Sequence, residues 1–190
     1  MSVTGIEIEA ERMEQVRALL AGVPKGAERA FSNAINRGLS RIKSQAWKQV
    51  KQVYTVQSSA LNAATTTQVQ KASAGNLAGY IHFSGVKIPL YKFKVSPKQP
   101  GSGQRVKASV KKGGGATFES AFIAAMKSGH VGVFERDTRK RLPVSEFMGL
   151  SAAQMVGEQT VSTELQEEAQ RTVNERLDHE IDRLLNGYGG

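Results

Sequence analysis

Between residues 25 and 53 apolar side chains return every three or four positions: Ala27, Phe31, Ala34, Ile35, Leu39, Ile42, Ala46, Val50 and Val53. That spacing puts them on one stripe of an α-helix, while Arg29, Arg37, Lys43, Lys48 and Lys51 fall largely off it. A helix of this length with one apolar stripe needs other elements to bury that stripe, so it constrains the fold more than any other feature. Gly22-Val23-Pro24 separates it from a shorter amphipathic helix over 11–21, whose stripe is Met13, Val16, Leu19 and Leu20. A second long helix is predicted over 163–185 from Leu165, Ala169, Val173, Leu177, Ile181, Leu184 and Leu185. Thr163 with Gln166 resembles a capping box and Gly187 ends the helix, leaving residues 188–190 to fray.

The centre of the chain reads as strands. Val3, Ile6 and Ile8 alternate with polar neighbours and predict a short strand ahead of the first helix. A polar stretch over 55–73 predicts a helical turn after Ser58 and a strand through Thr66, Gln68 and Gln70. Leu77, Gly79, Ile81 and Phe83 alternate, as do Val106, Ala108 and Val110. Residues 86–90 alternate in one register and 91–95 in the other, so Pro89 is expected at a bulge or an edge. Loops fall at 97–103 and 113–115, residues 121–126 and 131–135 form a hairpin, and a short helix is expected between Pro143 and Met155. The expected fold class is α+β: a mostly antiparallel sheet with long N-terminal and C-terminal amphipathic helices packed on one face.

At 190 residues the chain is expected to form one domain over 1–190, with a basic, loop-rich β segment at 86–115 and an acidic C-terminal helix at 163–185. The first residues carry neither the basic nor the apolar region of a signal peptide, and no apolar run is long enough to span a bilayer, so no membrane partner is expected. There is no cysteine, which excludes a disulfide framework and a thiolate nucleophile. The net charge of +9 matters less than its distribution. Between Val86 and Phe118 stand eight basic residues and no acid, whereas from Glu158 to Arg183 eight acids face three arginines. Such segregation sets opposed fields on one small protein and lets copies attract each other.

No constellation of reacting groups emerges. His82, His130 and His179 are far apart and lack partners at metal-ligand spacing, so no metal, cofactor or catalytic residue is assigned and no enzyme is expected. Gly113-Gly114-Gly115 is followed by Ala116-Thr117 and lacks the Gly-Lys-Ser/Thr of a phosphate cradle. Glu164 with Glu168, and Asp178 with Asp182, repel slightly at four-residue spacing. The basic segment carries more weight. Arg105, Lys107 and Lys111 alternate with Val106, Ala108 and Val110, and Lys92 and Lys94 stand in the same relation to Tyr91, Phe93 and Val95. These five charges are expected to face an anionic partner, a DNA phosphate backbone first and an acidic protein surface second, and contact with DNA would be to phosphates without reading bases. Lysines that merely protect a sheet edge are the plainer alternative. Subunit docking is expected from the charged turn of Glu135, Arg136, Arg139 and Arg141, whose guanidiniums can grip carboxylates in pairs, and from Glu167, Glu168 and Asp178 on the acidic helix.

Three groups of residues together resemble the minor tail protein Z family of long-tailed bacteriophages, also called tail completion proteins. They are Pro24-Lys25-Gly26-Ala27-Glu28-Arg29-Ala30 running into Ala34-Ile35-Asn36-Arg37; Ile88-Pro89-Leu90 with Phe93 and Val95; and Gly129-His130-Val131-Gly132-Val133-Phe134-Glu135-Arg136 with Arg141-Leu142-Pro143-Val144, Ser151 and Met155. They span most of the chain. Where members often carry a proline-containing segment before the final helix, this chain has Leu150-Ser151-Ala152-Ala153-Gln154-Met155. The resemblance implies a structural virion protein assembled in the host cytoplasm as a homo-oligomeric ring, a hexamer, at the head-proximal end of the tail. It would join head to tail and position the viral DNA end, with the tail terminator, tail tube and head-completion proteins as neighbours. Rival readings are a nonspecific DNA-binding protein, suggested by the basic face, and a tail assembly factor absent from the virion.

Overall fold

Apolar spacing of 3.6 at both ends of the chain and of 2 in its middle sorts the elements that form. The computed structural model describes residues 2–6, 8 and 10–187. In chain order they give β1 (Ser2–Ile6), α1 (Ala10–Leu19), α2 (Gly26–Val53), α3 (Ser58–Ala64), β2 (Thr65–Gln70), β3 (Gly79–Gly85) and β4 (Lys87–Pro89). A 3-10 turn at Leu90–Lys92 leads to β5 (Lys94–Ser96), β6 (Val106–Ser109), β7 (Ala116–Phe118), β8 (Phe122–Ala125) and β9 (Val131–Arg136). Then come β10 (Val144–Glu146), β11 (Met148–Ser151), α4 (Ala152–Val156) and α5 (Gln159–Leu185). The class is α+β with antiparallel strand pairs. Among the described residues the strands form four small sheets, ordered β1-β3-β2, β10-β9-β8, β11-β4 and β5-β6-β7. Pro89, Pro97, Pro100 and Pro143 cannot donate to a ladder and keep the intervening strands short.

The described residues fall into two compact units, one drawn from 1–46, 67–83 and 157–190, the other from 47–66 and 84–156. In the first, α2 buries Ala27, Ala30, Phe31, Ala34, Ile35, Leu39, Ile42 and Ala46, and α5 buries Val161, Leu165, Ala169, Val173, Leu177, Ile181 and Leu184. Each large member of these stripes contributes about 1.5–3 kcal/mol by leaving water. Polar bridges fix the pairing. Asn33 Nδ2 donates to Glu180 Oε2 at 3.2 Å, and Arg41 Nε donates to Glu168 Oε1 at 2.6 Å. Numbers rise along one helix as they fall along the other, so α2 and α5 run antiparallel. Asn36 pins the segment after β2, its amide nitrogen donating to Ala72 O and its oxygen accepting from Ala72 N, both at 2.9 Å.

Glu180 is the unusual residue of this unit, a carboxylate at 0% exposure on the buried side of α5. Arg183 donates to its Oε2 from Nε at 3.1 Å and from Nη2 at 2.8 Å, and Arg176 forms an ion pair with it one turn away. Burial pushes its pKa up, but the hydrogen bonds of Arg183 and Asn33 and the charges of Arg176 and Arg183 outweigh it and hold the carboxyl below the usual carboxylate range.

In the second unit a core forms from Leu90, Val95, Val106, Ala108, Ala121, Ile123 and Val133, with Tyr91, Val110, Phe118, Val131 and Phe147 packed against it. Thr55 ties the end of α2 to this core: its N–H donates to Val110 O at 3.0 Å, and its hydroxyl accepts from Lys94 N at 3.0 Å.

Several expectations are corrected here. Residues 144–151 are strands, not the beginning of a helix, and only Ala152–Val156 is helical. Val144–Glu146 pairs with β9 and Met148–Ser151 with β4, while Phe147 N donates to Val133 O at 2.8 Å, so long-range pairing overrides the local helical pattern. Residues 91–95 are not one strand, because the 3-10 turn intervenes before β5. Helix α5 begins at Gln159, four residues earlier than predicted. Its N-cap is Glu158, whose side chain accepts from Val161 N at 3.3 Å, and not Thr163. The Pro89 expectation matches a register shift in the β11–β4 pair. The expected fraying of 188–190 lies outside the described residues.

Replacing Glu180 by Gln is expected to cost on the order of 2–4 kcal/mol at neutral pH, because two arginines lose their counter-charge in a site with little water. Because its folded pKa is lowered, the contribution of Glu180 is full above the ordinary carboxylate pKa and drains away as pH falls through the lowered value. Acid melting curves of the two proteins should therefore converge. Equal spacing at every pH would contradict this.

Candidate interaction surfaces

Pairing in the β5–β6–β7 sheet decides which charges stand together. Lys94 lies opposite Ser109, Ser96 opposite Lys107, and Lys107 in turn opposite Thr117. Val95, Val106 and Ala108, on the alternate positions, are buried in the core, so Lys94, Ser96, Lys107, Ser109 and Thr117 share the outer face. They line an open depression of about 390 Å³ together with Ala108, Gly115 and Ala116, a lining with two ammonium groups, three hydroxyls and no carboxylate. Such a surface suits phosphate or carboxylate oxygens, with charge from the lysines and hydrogen bonds from the hydroxyls.

The other three residues of the basic set lie elsewhere. Arg105 precedes β6 and makes a two-pronged pair with Glu119, Nε to Oε2 and Nη1 to Oε1, each at 3.1 Å. Both side chains are about two-thirds exposed, so the pair adds little stability and can exchange for another anion. Lys92 is half-buried in the 3-10 turn, its carbonyl accepting from Gln57 N at 3.0 Å. Lys111 lies past the end of β6, where Tyr54 bridges to it and its Nζ stands 5.6 Å from the Tyr54 ring centre. The alternation expected from Arg105 to Lys111 therefore holds for Lys107 and stops at Ser109.

The charged turn between β9 and β10 is closed from within. Arg136 Nη1 donates to Arg141 O at 2.8 Å, and its guanidinium lies 5.2 Å from the Phe122 ring centre. Glu135 is half-buried, opposite Ser145. Arg139, Lys140 and Arg141 stand exposed at the tip beside Leu142, itself 66% exposed. Of the acids assigned to docking, Glu167 is exposed, whereas Glu168 and Asp178 meet arginines of the same chain. Glu168 pairs with Arg41 and Arg171, and Asp178 with Arg12. These pairs also relieve the repulsion expected from Glu164 and Asp182.

The stretch 129–136 has a structural logic that the sequence hides. Gly129 takes φ +82°, a left-handed conformation suited to the turn between β8 and β9. Gly132 faces the carboxylate of Glu146 on β10, and a Cβ there would stand 2.4 Å from Glu146 Oε1 and 2.9 Å from Phe134 Cζ. The same oxygen is 2.8 Å from His130 Nε2. Sequence reasoning also missed Glu180, although a carboxylate on an apolar stripe with arginines four before and three after it was a usable signal. Nothing local pointed to the His130–Glu146 contact. His82 is half-buried in β3 and His179 exposed on α5. Among the described residues no group of three or more His, Cys, Asp or Glu could hold a metal ion, and no helix is long and apolar enough to cross a membrane.

These surfaces offer exposed charges of both signs and, among the described residues, no cluster able to hold a metal ion. The sequence model of the prophage minor tail protein Z (GPZ) family matches residues 13–188, and the chain belongs to that family. Its role is therefore that of a structural phage tail protein, located in the virion tail. No curated protein and no solved structure matches the chain.

Gly132→Ala is expected to cost about 1–3 kcal/mol, since the new methyl must displace a carboxylate and an aromatic ring. Adding Glu146→Ala should restore part of the stability by removing the nearer obstacle, which thermal melts of the single and double variants would measure. An unchanged melt for Gly132→Ala would contradict this account of the motif.

Proposed function

We propose that this minor tail protein completes the head-proximal end of the tail, assembling there as a homo-oligomeric ring, a hexamer, that joins the tail to the head and positions the viral DNA end. The observation that carries the DNA contact is the acid-free lining of the β5–β6–β7 depression, where Lys94 and Lys107 stand with three hydroxyls. Arg105, by exchanging Glu119, and Lys92 and Lys111, which lie outside the depression, are secondary contacts for the same partner. The exposed tip of Arg139 and Arg141, with Arg136 bracing it and Glu135 at its base, docks on a neighbouring subunit or ring: tail terminator, tail tube or head-completion protein. Glu167 offers an exposed carboxylate on α5 for contact between copies, while Glu168 and Asp178 act there only by exchanging their internal arginines. The protein works by binding, without catalysis, and its 190 residues act as one functional domain.

A nonspecific DNA-binding protein acting by itself is the second reading, and the same depression favours it. The two differ in what depends on the lysines. Lys94→Gln with Lys107→Gln should lower the salt dependence of duplex binding by about two logarithmic units of slope, one for each phosphate that is no longer neutralised. In virions the same pair should permit ring formation but give particles that lose DNA at the tail entrance. Particles that hold their DNA and infect normally would reduce the basic face to edge protection. Weaker duplex binding by the isolated double variant, together with normal virions formed without this chain, would favour the second reading.

A further inference from the structure

The sheet ordered β1-β3-β2 is unlike the other sheets in one respect. Its strands read SVTGI, TTTQVQ and GYIHFSG, without Asp, Glu, Lys, Arg or Pro, in a chain of which 23% of residues are charged. Exposed edges are ordinarily blunted by charge or proline, as β4 is by Lys87 and Pro89 and β5 by Lys94, while the outer strands β7, β8 and β11 lack both but have only three or four residues. Strand β2 has neither device. Its six residues are exposed or half-exposed on both faces, three of them are β-branched threonines, and among the described residues no strand pairs with its outer edge. An edge of this kind presents a ladder of N–H and C=O groups suited to an added strand.

Strand directions limit what can be added. β1 runs antiparallel to β3. So does β2, since Ser84 Oγ donates to Thr66 O at one end while Gly79 lies against Gln70 O at the other. β1 and β2 are therefore parallel to each other and form the two outer strands of one sheet. They are also matched in length, five and six residues, whereas the outer strands of the other sheets have three or four. Copies repeating around a ring keep the direction of strands that run along the ring axis, so with the sheet in that orientation the strand of a neighbour that meets β2 is β1, in parallel.

We infer that β2 is the edge on which a second copy of this chain docks by adding its β1, so that the three-stranded sheets of successive copies join into one. This rests on the reading that copies assemble, and it names the surface they use. Backbone pairing supplies the contact, and the uncharged composition removes the desolvation cost that lysines or carboxylates would impose. The repeat is heterologous and closes only when the rotation between copies divides a circle. A two-fold pairing of β2 with β2 would be antiparallel and would stop at a dimer.

The chain has no cysteine, so substituted thiols report without background. In the full chain, Thr4→Cys and Gln68→Cys together should give a ladder of multimers with a short bis-maleimide, while either substitution alone should give none. Dimers from Gln68→Cys alone would indicate β2–β2 pairing and overturn the inference. As a second arm, Thr66→Lys with Gln68→Lys places charges on exposed positions of β2. It should lower assembly about tenfold or more with an unchanged melting curve. If the wild type assembles and this variant assembles equally well, the edge is not the contact and the assembly reading stands. If the wild type stays monomeric both alone and with isolated tails, the assembly reading falls and the inference with it.

Discussion

A carboxylate taken wholly out of water governs the helical unit. Glu180 has no exposure, and leaving it charged there is tolerable only because Arg183, Asn33 and Arg176 converge on it. Asn33 belongs to α2, so the arrangement works only if α2 lies beside α5 in one register. Given that register, the apolar stripes of both helices are buried, Arg41 meets Glu168, and Arg12 of α1 meets Asp178. The acids of α5 that appear in the sequence as a repelling surface are thus partly consumed in positioning their own chain.

The second unit is organised differently. Its strands are short, its sheets small, and its apolar positions few, yet alternation sends Val95, Val106 and Ala108 inward and leaves Lys94 and Lys107 outward. Core and charged surface are two sides of one period-two pattern. The turn after β9 follows a similar rule. Arg136 gives its hydrogen bonds to the turn, and Arg139 and Arg141 remain exposed to solvent. In both places the chain turns its apolar or bonded groups inward and leaves charged groups exposed. Membership of the minor tail protein Z family gives these surfaces a setting in a phage tail, among other tail components.

How far the sequence could be read depended on where the determining contacts lay. α2 was legible almost to the residue, because 28 residues of one period leave no alternative. α5 was legible except for its start, where a Glu158 cap four residues upstream outweighed the weaker Thr163 signal. Residues 144–151 misled, since the chain there is helix-compatible and becomes strand only by pairing with β9 and β4. In the basic set, period-two reasoning found Lys94 and Lys107. It misassigned the strand limits that separate Lys111 and Lys92 from them, and it could not see that Glu119 occupies Arg105. The hydroxyls of Ser96, Ser109 and Thr117 joined the site only through strand register, which no local pattern carries.

The central claim is a location and an architecture: a ring of this chain at the head-proximal end of the tail, with its basic depression toward the DNA. A cryo-EM reconstruction of the head–tail junction in intact virions, resolved well enough to fit the two units separately, tests it most directly. The account predicts a closed ring at that end with Lys94 and Lys107 facing the channel density. Finding the chain along the tube, at the distal tip or absent from the particle would contradict it.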